Sequence, residues 1–255
     1  ITAWIRGLQQ TDEERALPPI TGNISTGEFQ AAFKAVSEHT SSSPSGLHYS
    51  IWKCLATDDK ISEWMSKMMS LPMEYGFVNE RWTNSIDVML EKKRGQRKIH
   101  MLRIIALVEA DWNTALKIIF WKLIRNAETV GLNDEQWGSR KNRMALDPAM
   151  RNLMTFEYGR YMRVTIAMFA ADLTACFDRM WPELGNLTSG KFGLEVAPMI
   201  SRSKTIKQLK RAVRTGHGVS EQVYKNEVGQ AQIIGELQGK GDIALIYMLL
   251  SSTIL

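Results

Sequence analysis

Downstream of Trp82 the chain changes its apolar period, and that change limits the fold more than any other feature. Ser85–Leu90 and Ile99–Val108 are dense in Ile, Val, Leu and Met, as strands are. Between them lies Glu91–Lys98, with Gly95 placed to make the turn and five basic residues in the seven from Lys92 to Lys98. Two such runs around a glycine-bearing turn predict a β-hairpin with a strongly cationic tip. A chain built on a local hairpin but otherwise helical in pattern belongs to the α+β class.

Helical spacing dominates before Trp82. A short helix is expected over Ala3–Gln10, then a loop through Pro18-Pro19. Phe29, Phe33 and Val36 predict a helix from Gly27 to His39 with Thr26 as its N-cap. Thr40–Gly46 is a loop by composition. Tyr49–Ala56 and Asp58–Ser70 are expected helices, the second stopped by Pro72.

After the hairpin, Trp112, Leu116, Ile119, Phe120 and Leu123 recur at three and four, giving a helix from Glu109 to about Gly131. Gln136–Arg143 is a loop. Asp147 can cap a helix with Pro148 in its first turn, running to about Arg163. Val164–Ala171 reads as a short buried strand that delivers Asp172, and a helix is expected near Phe177–Leu184. Ser203–Thr215 is expected to be a basic helix carrying Lys204, Lys207, Lys210, Arg211 and Arg214. Val219–Val228 and Ala231–Ile234 are candidate strands. Gly235–Gly241 then opens a last apolar helix.

Charge is split along the chain. The first 80 residues hold 6 Lys/Arg against 10 Asp/Glu, the remaining 175 hold 26 against 17, and the net charge is +5. A basic excess gathered on one face favours a polyanionic partner. Two cysteines make neither a disulfide framework nor a cysteine zinc site, and they fit a reducing, intracellular compartment, nuclear or cytoplasmic. The apolar run Ile243–Leu250 falls short of the roughly 20 residues of a membrane span. Hydrolase signatures of the Gly-x-Ser-x-Gly and His-Glu-x-x-His kinds do not occur. The chain begins at Ile1 and stops inside an apolar stretch, and so reads as a fragment.

Asp172 is the chemically sharpest residue. A carboxylate at the end of a buried strand needs a compensating cation or donor, and Mg²⁺ takes such oxygens; the other reading is a cap on the following helix. Gly235, Gly239 and Gly241 allow close approach of a ligand to backbone without forming a P-loop.

In order, four segments resemble a reverse transcriptase domain of the retroelement type. The hairpin from Val88 to Ile105 resembles the fingers hairpin; Gln136–Arg143 is similar to the Gln-x-Gly-Phe-Arg loop, with Ser139 in the aromatic position. Phe169–Asp178 resembles the first palm motif, and Gly235–Gly239 the second, Gly-x-x-Gln-Gly. The resemblance implies right-hand polymerase fingers and a partial palm: a helical N-terminal region over 1–80, a fingers-like region over 81–163, and a truncated palm sheet over 164–255. It implies that Asp172 and the carbonyl of Leu173 hold Mg²⁺ (or Mn²⁺) in the intact parent, with no tight metal binding by this chain. Lys92 and Arg103 would meet the triphosphate of a deoxynucleotide, Phe177 would lie under its sugar, and Gln238 and Gly239 would line nucleotide and template. Lys204, Lys207, Lys210, Arg211 and Arg214 would track the backbone of an RNA or DNA template with its primer.

The sequence departs from the pattern in two places. Ile243-Ala244 stands where a Ser-Pro pair is usual, and Asp242 adds a negative charge near the expected template path. The Tyr-x-Asp-Asp motif does not occur and would lie beyond Leu255. Alternative readings are a non-catalytic nucleic-acid-binding remnant of such an element, or a helical interaction module whose basic faces are merely solvated. A palm sheet cut short would also expose an edge and apolar helix faces.

Overall fold

A computed structural model describes residues 8–40, 43–95, 98–168, 180–225, 240 and 242–254. After the short helix α1 (Asp12–Arg15), α2 spans Thr26–Lys34. Its N-cap is Ser25 rather than Thr26: the Ser25 hydroxyl accepts from the Glu28 amide while the Glu28 carboxylate takes the Ser25 amide, a reciprocal capping box. The helix stops at Lys34, short of His39, and the Lys53 ammonium donates to the Val36 carbonyl just beyond it. Phe29 and Phe33 are fully buried, and Phe33 stacks on Trp52 of α3 (Tyr49–Leu55) at 5.5 Å.

Helix α4 runs Asp59–Tyr75, through Pro72 instead of ending at it. A proline there deprives only the Met68 carbonyl of its partner, and Pro72 itself is buried with Met69 and Met73 on the packed side of the helix. The stop is Gly76, at φ 67°, where a left-handed cap suits glycine.

The expected hairpin forms. β1 (Asn84–Glu91) pairs antiparallel with β2 (Leu102–Leu107), and Gly95 in the tip takes φ +85°. The central helix α5 (Ala110–Thr129) follows, buried on most of its circumference through Trp112, Leu116, Ile119, Phe120 and Leu123. At its start Arg81 bonds Glu109 (2.6 Å) and Asp111, Trp82 Nε1 donates to Asp111 (2.8 Å), and Ser45 donates twice to the buried Glu109. Burial opposes the charge on Arg81, but the two carboxylates prevail and raise its pKa.

Helix α6 (Leu146–Met162) follows the Gln136–Arg143 loop, and its first turn is held by Asp147, whose carboxylate accepts the Met144 amide. Residues 164–168 do not pair as the expected strand, and 169–171 lie outside the described residues. α7 (Pro182–Lys191) and α8 (Val196–Lys207) precede β3 (Lys210–Thr215) and β4 (Gly218–Val219). The helix expected over Ser203–Thr215 is therefore corrected: only its first residues belong to a helix, and the rest is a strand. α9 (Ile243–Ile254) packs on α5 and α7. The sheet is small and mixed, ordered β2-β1-β3-β4, with β1 and β3 parallel. One core draws on Ile20, Trp52, Leu116, Leu194 and Leu249, so all three stretches of the chain contribute to it. Among the described residues no helix is long and apolar enough to cross a membrane.

Candidate nucleic-acid interface

Alternation along each strand gives the sheet two unlike faces. Ser85 and Asp87 of β1 and Ala106 of β2 point to the closed face and are buried. Ile86 and Val88, with Ile105 and Leu107 opposite them in register, remain half-exposed on the other. That open face continues onto β3 through Lys210, Ala212 and Arg214, register partners of Asn84, Ile86 and Val88. Val219 beside Arg214 is 50% exposed.

Four cations frame this half-apolar strip. Arg103 sits opposite Leu90, and the Lys92 amide extends the ladder by donating to the Met101 carbonyl (3.4 Å), which puts Lys92 diagonal to Arg103 on the same face. Lys92, Arg103, Lys210 and Arg214 are all exposed. The strand residues on this face include no carboxylate. Lys210 approaches Glu80 at 3.8 Å, but Glu80 is 90% exposed, and such a pair yields readily to a polyanion. Lys93 and Arg94 add charge at the hairpin tip, while Glu91 turns back to accept the Gly95 amide.

The structure separates the five cations grouped by sequence. Lys210 and Arg214 reach the open face; Arg211 points to the closed one. There it meets the fully buried Asp87 at 2.8 Å, its guanidinium stacked 5.2 Å over the Tyr224 ring. The Tyr224 phenol donates to the same carboxylate, and burial, together with that bond, raises its pKa above the ordinary tyrosine range. Lys204 donates to the Gly76 carbonyl (3.4 Å). Lys207 pairs with Glu183 at 2.8 Å and holds that carboxyl below its usual range. These last two belong to α8, not to the sheet.

Asp242 is likewise corrected. It is fully buried, accepts from the buried Arg202 Nε at 2.7 Å and lies 3.4 Å from the Lys240 ammonium, so it presents no charge to any surface path. Arg202 is anchored further by Asn186 (3.0 Å). The Gln136–Arg143 loop is held by its own contacts, Arg143 over Trp137 and Arg140 beside Glu128. Asp172, Leu173, Phe177, Gln238 and Gly239 lie outside the described residues. Among the described residues no group of three His, Cys, Asp or Glu side chains could hold a metal ion.

Sequence reasoning missed Asp87 and Tyr224, and it directed Arg211 at a nucleic-acid backbone rather than at Asp87. The available signal was a lone carboxylate inside an apolar strand, a position that demands a buried cation. No protein-family model matches the chain, and no curated protein matches it.

Proposed function

We propose that the chain is the fingers and N-terminal palm portion of an RNA-directed DNA polymerase of retroelement type, and that the open sheet face receives phosphate groups. The observation that carries this reading is the gathering of Lys92, Arg103, Lys210 and Arg214 around a carboxylate-free, half-apolar sheet face. Phosphate oxygens are the ligands such a face attracts, and the attraction is independent of sequence. Its strand residues include no aromatic ring, so base stacking does not contribute there.

Lys92 and Arg103, diagonal neighbours on the hairpin, would bind a deoxynucleoside triphosphate, with Lys210 and Arg214 toward the template–primer backbone. Asp172 with the Leu173 carbonyl is the part of this chain that would hold Mg²⁺ or Mn²⁺, which neutralises charge in phosphoryl transfer when bound. The sequence contains no Tyr-x-Asp-Asp, so this polypeptide binds without extending a primer. Phe177 as sugar gate and Gln238 with Gly239 as nucleotide lining belong to the same proposal.

Photocrosslinking tests it. An azido-dATP, irradiated with the chain and an RNA–DNA primer–template, should label peptides of the 84–107 hairpin, and Lys92→Ala or Arg103→Ala should cut the yield several-fold. Labelling scattered over the surface, or indifferent to both substitutions, overturns the assignment. Template binding with no nucleotide labelling instead supports a non-catalytic nucleic-acid-binding remnant.

A further inference from the structure

The closed face of the sheet carries more polar atoms than the Asp87 cluster satisfies. Asp87 uses one carboxylate oxygen, Oδ2, for both the Arg211 guanidinium and the Tyr224 phenol. Its other oxygen, Oδ1, has no hydrogen-bond partner among the described residues, and neither does Arg211 Nε nor the Ser85 hydroxyl. All of these atoms are buried: Ser85 is 2% exposed, Asp87 not at all, and the Arg211 side chain 11%. A buried donor or acceptor left unmatched costs its full desolvation, so several at one place call for a shared partner.

Strand register brings them to one place. Ser85 lies directly across from Arg211 in the parallel β1–β3 pair, and Asp87 follows Ser85 on the same face. Arg211 starts opposite Ser85 and ends on Asp87, so its side chain spans the gap between these two β1 residues. The chain returning from β4 covers the cluster. Tyr224 exchanges backbone hydrogen bonds with Arg211 at 2.9 and 3.0 Å, and its ring lies over the guanidinium.

The unmatched groups differ in kind. Arg211 Nε only donates, Asp87 Oδ1 only accepts, and the Ser85 hydroxyl does either. A cation drawn to the carboxylate would be repelled by the guanidinium, and an anion drawn to the guanidinium by the carboxylate. A small neutral molecule that both donates and accepts suits all of them. Water is that molecule, and buried waters ordinarily make about three hydrogen bonds to groups of this sort.

We infer that the closed face binds an internal water, which accepts from Arg211 Nε, donates to Asp87 Oδ1 and bonds the Ser85 hydroxyl. The water is then a further member of the network that holds β3 against β1. This inference is independent of the nucleic-acid reading.

Oxygen-17 magnetic relaxation dispersion of the full chain counts waters that stay bound longer than the protein tumbles. Ser85→Val removes the hydroxyl and fills its place with a methyl group that a strand accommodates. The dispersion amplitude should fall by the equivalent of about one water, with an unchanged circular dichroism spectrum. Ser37→Val, at an exposed position, should leave the amplitude as it is. Should Ser85→Val misfold, a crystal structure of the unaltered chain decides: a water should lie within about 3.2 Å of at least two of the three groups. Equal amplitudes for Ser85→Val and the unaltered chain, a Ser85 hydroxyl bonded directly to Arg211 or Asp87, or an ion in the water's place overturns the inference.

Discussion

Replacing Lys210 and Arg214 together by alanine removes the two cations of the open sheet face that the proposal directs at the template–primer backbone. Each phosphate contact contributes about 0.9 to the slope of log affinity against log salt on a duplex. Two contacts give a slope near −1.8, so affinity for an RNA–DNA primer–template should fall about 12-fold between roughly 50 and 200 mM KCl. Without them the sheet face adds no slope, and the same change in salt should leave affinity nearly unchanged. Fluorescence anisotropy with a labelled hybrid, titrated at a series of KCl concentrations, measures both slopes directly. The comparison variant is Lys204→Ala with Lys207→Ala, which removes the same charge from α8, outside the sheet. Its slope should match that of the unaltered chain. If the Lys210/Arg214 variant keeps the full slope, or if the α8 variant loses as much, phosphate does not lie on the sheet face and the reasoning fails.

The fold makes two further tests available. Gly22→Ala would set a Cβ 2.2 Å from the Met73 carbonyl carbon and 2.3 Å from the Glu74 nitrogen, backbone atoms of α4 that must shift to admit it, so urea unfolding should show a loss of ~3 kcal/mol; Gly27→Ala, in open space at the start of α2, should instead gain up to ~1 kcal/mol. Arg202→Met leaves Asp242 buried without its closest cation and should cost ~3–5 kcal/mol by the same assay, whereas Lys207→Met, from an exposed pair, should cost under ~1 kcal/mol.

Local signals carried much of the architecture. The hairpin was legible because two apolar runs met at Gly95, and α5 because Trp112, Leu116, Ile119, Phe120 and Leu123 recur at helical spacing over about three turns. What failed was non-local. Lys204, Lys207, Lys210, Arg211 and Arg214 have a spacing that fits a helix, yet Lys210, Ala212 and Arg214 also alternate with Arg211 and Val213 as a strand would. The choice is made by β1, which lends its edge and the Asp87 carboxylate, and nothing near Lys210 in sequence announces that partner. Pro72 is a further case: it costs the helix one hydrogen bond, and its tertiary burial with Met69 and Met73, which no local signal announces, offsets that loss. Of the candidate site, the hairpin cations were legible as a cluster. The division of the later cations between two sheet faces and a helix was not, because it depends on strand register.

The parallel pairing of β1 with β3 also bears on how the chain is made. The two strands are separated by roughly 120 residues, which a ribosome adds in about 6–24 s. Throughout that interval the hairpin has one ladder of hydrogen bonds and an open edge on β1, with Asp87 lacking Arg211. Nascent chains crowded on one message would then be exposed to strand exchange with their neighbours, and slower synthesis between codons 91 and 210 would prolong the exposure.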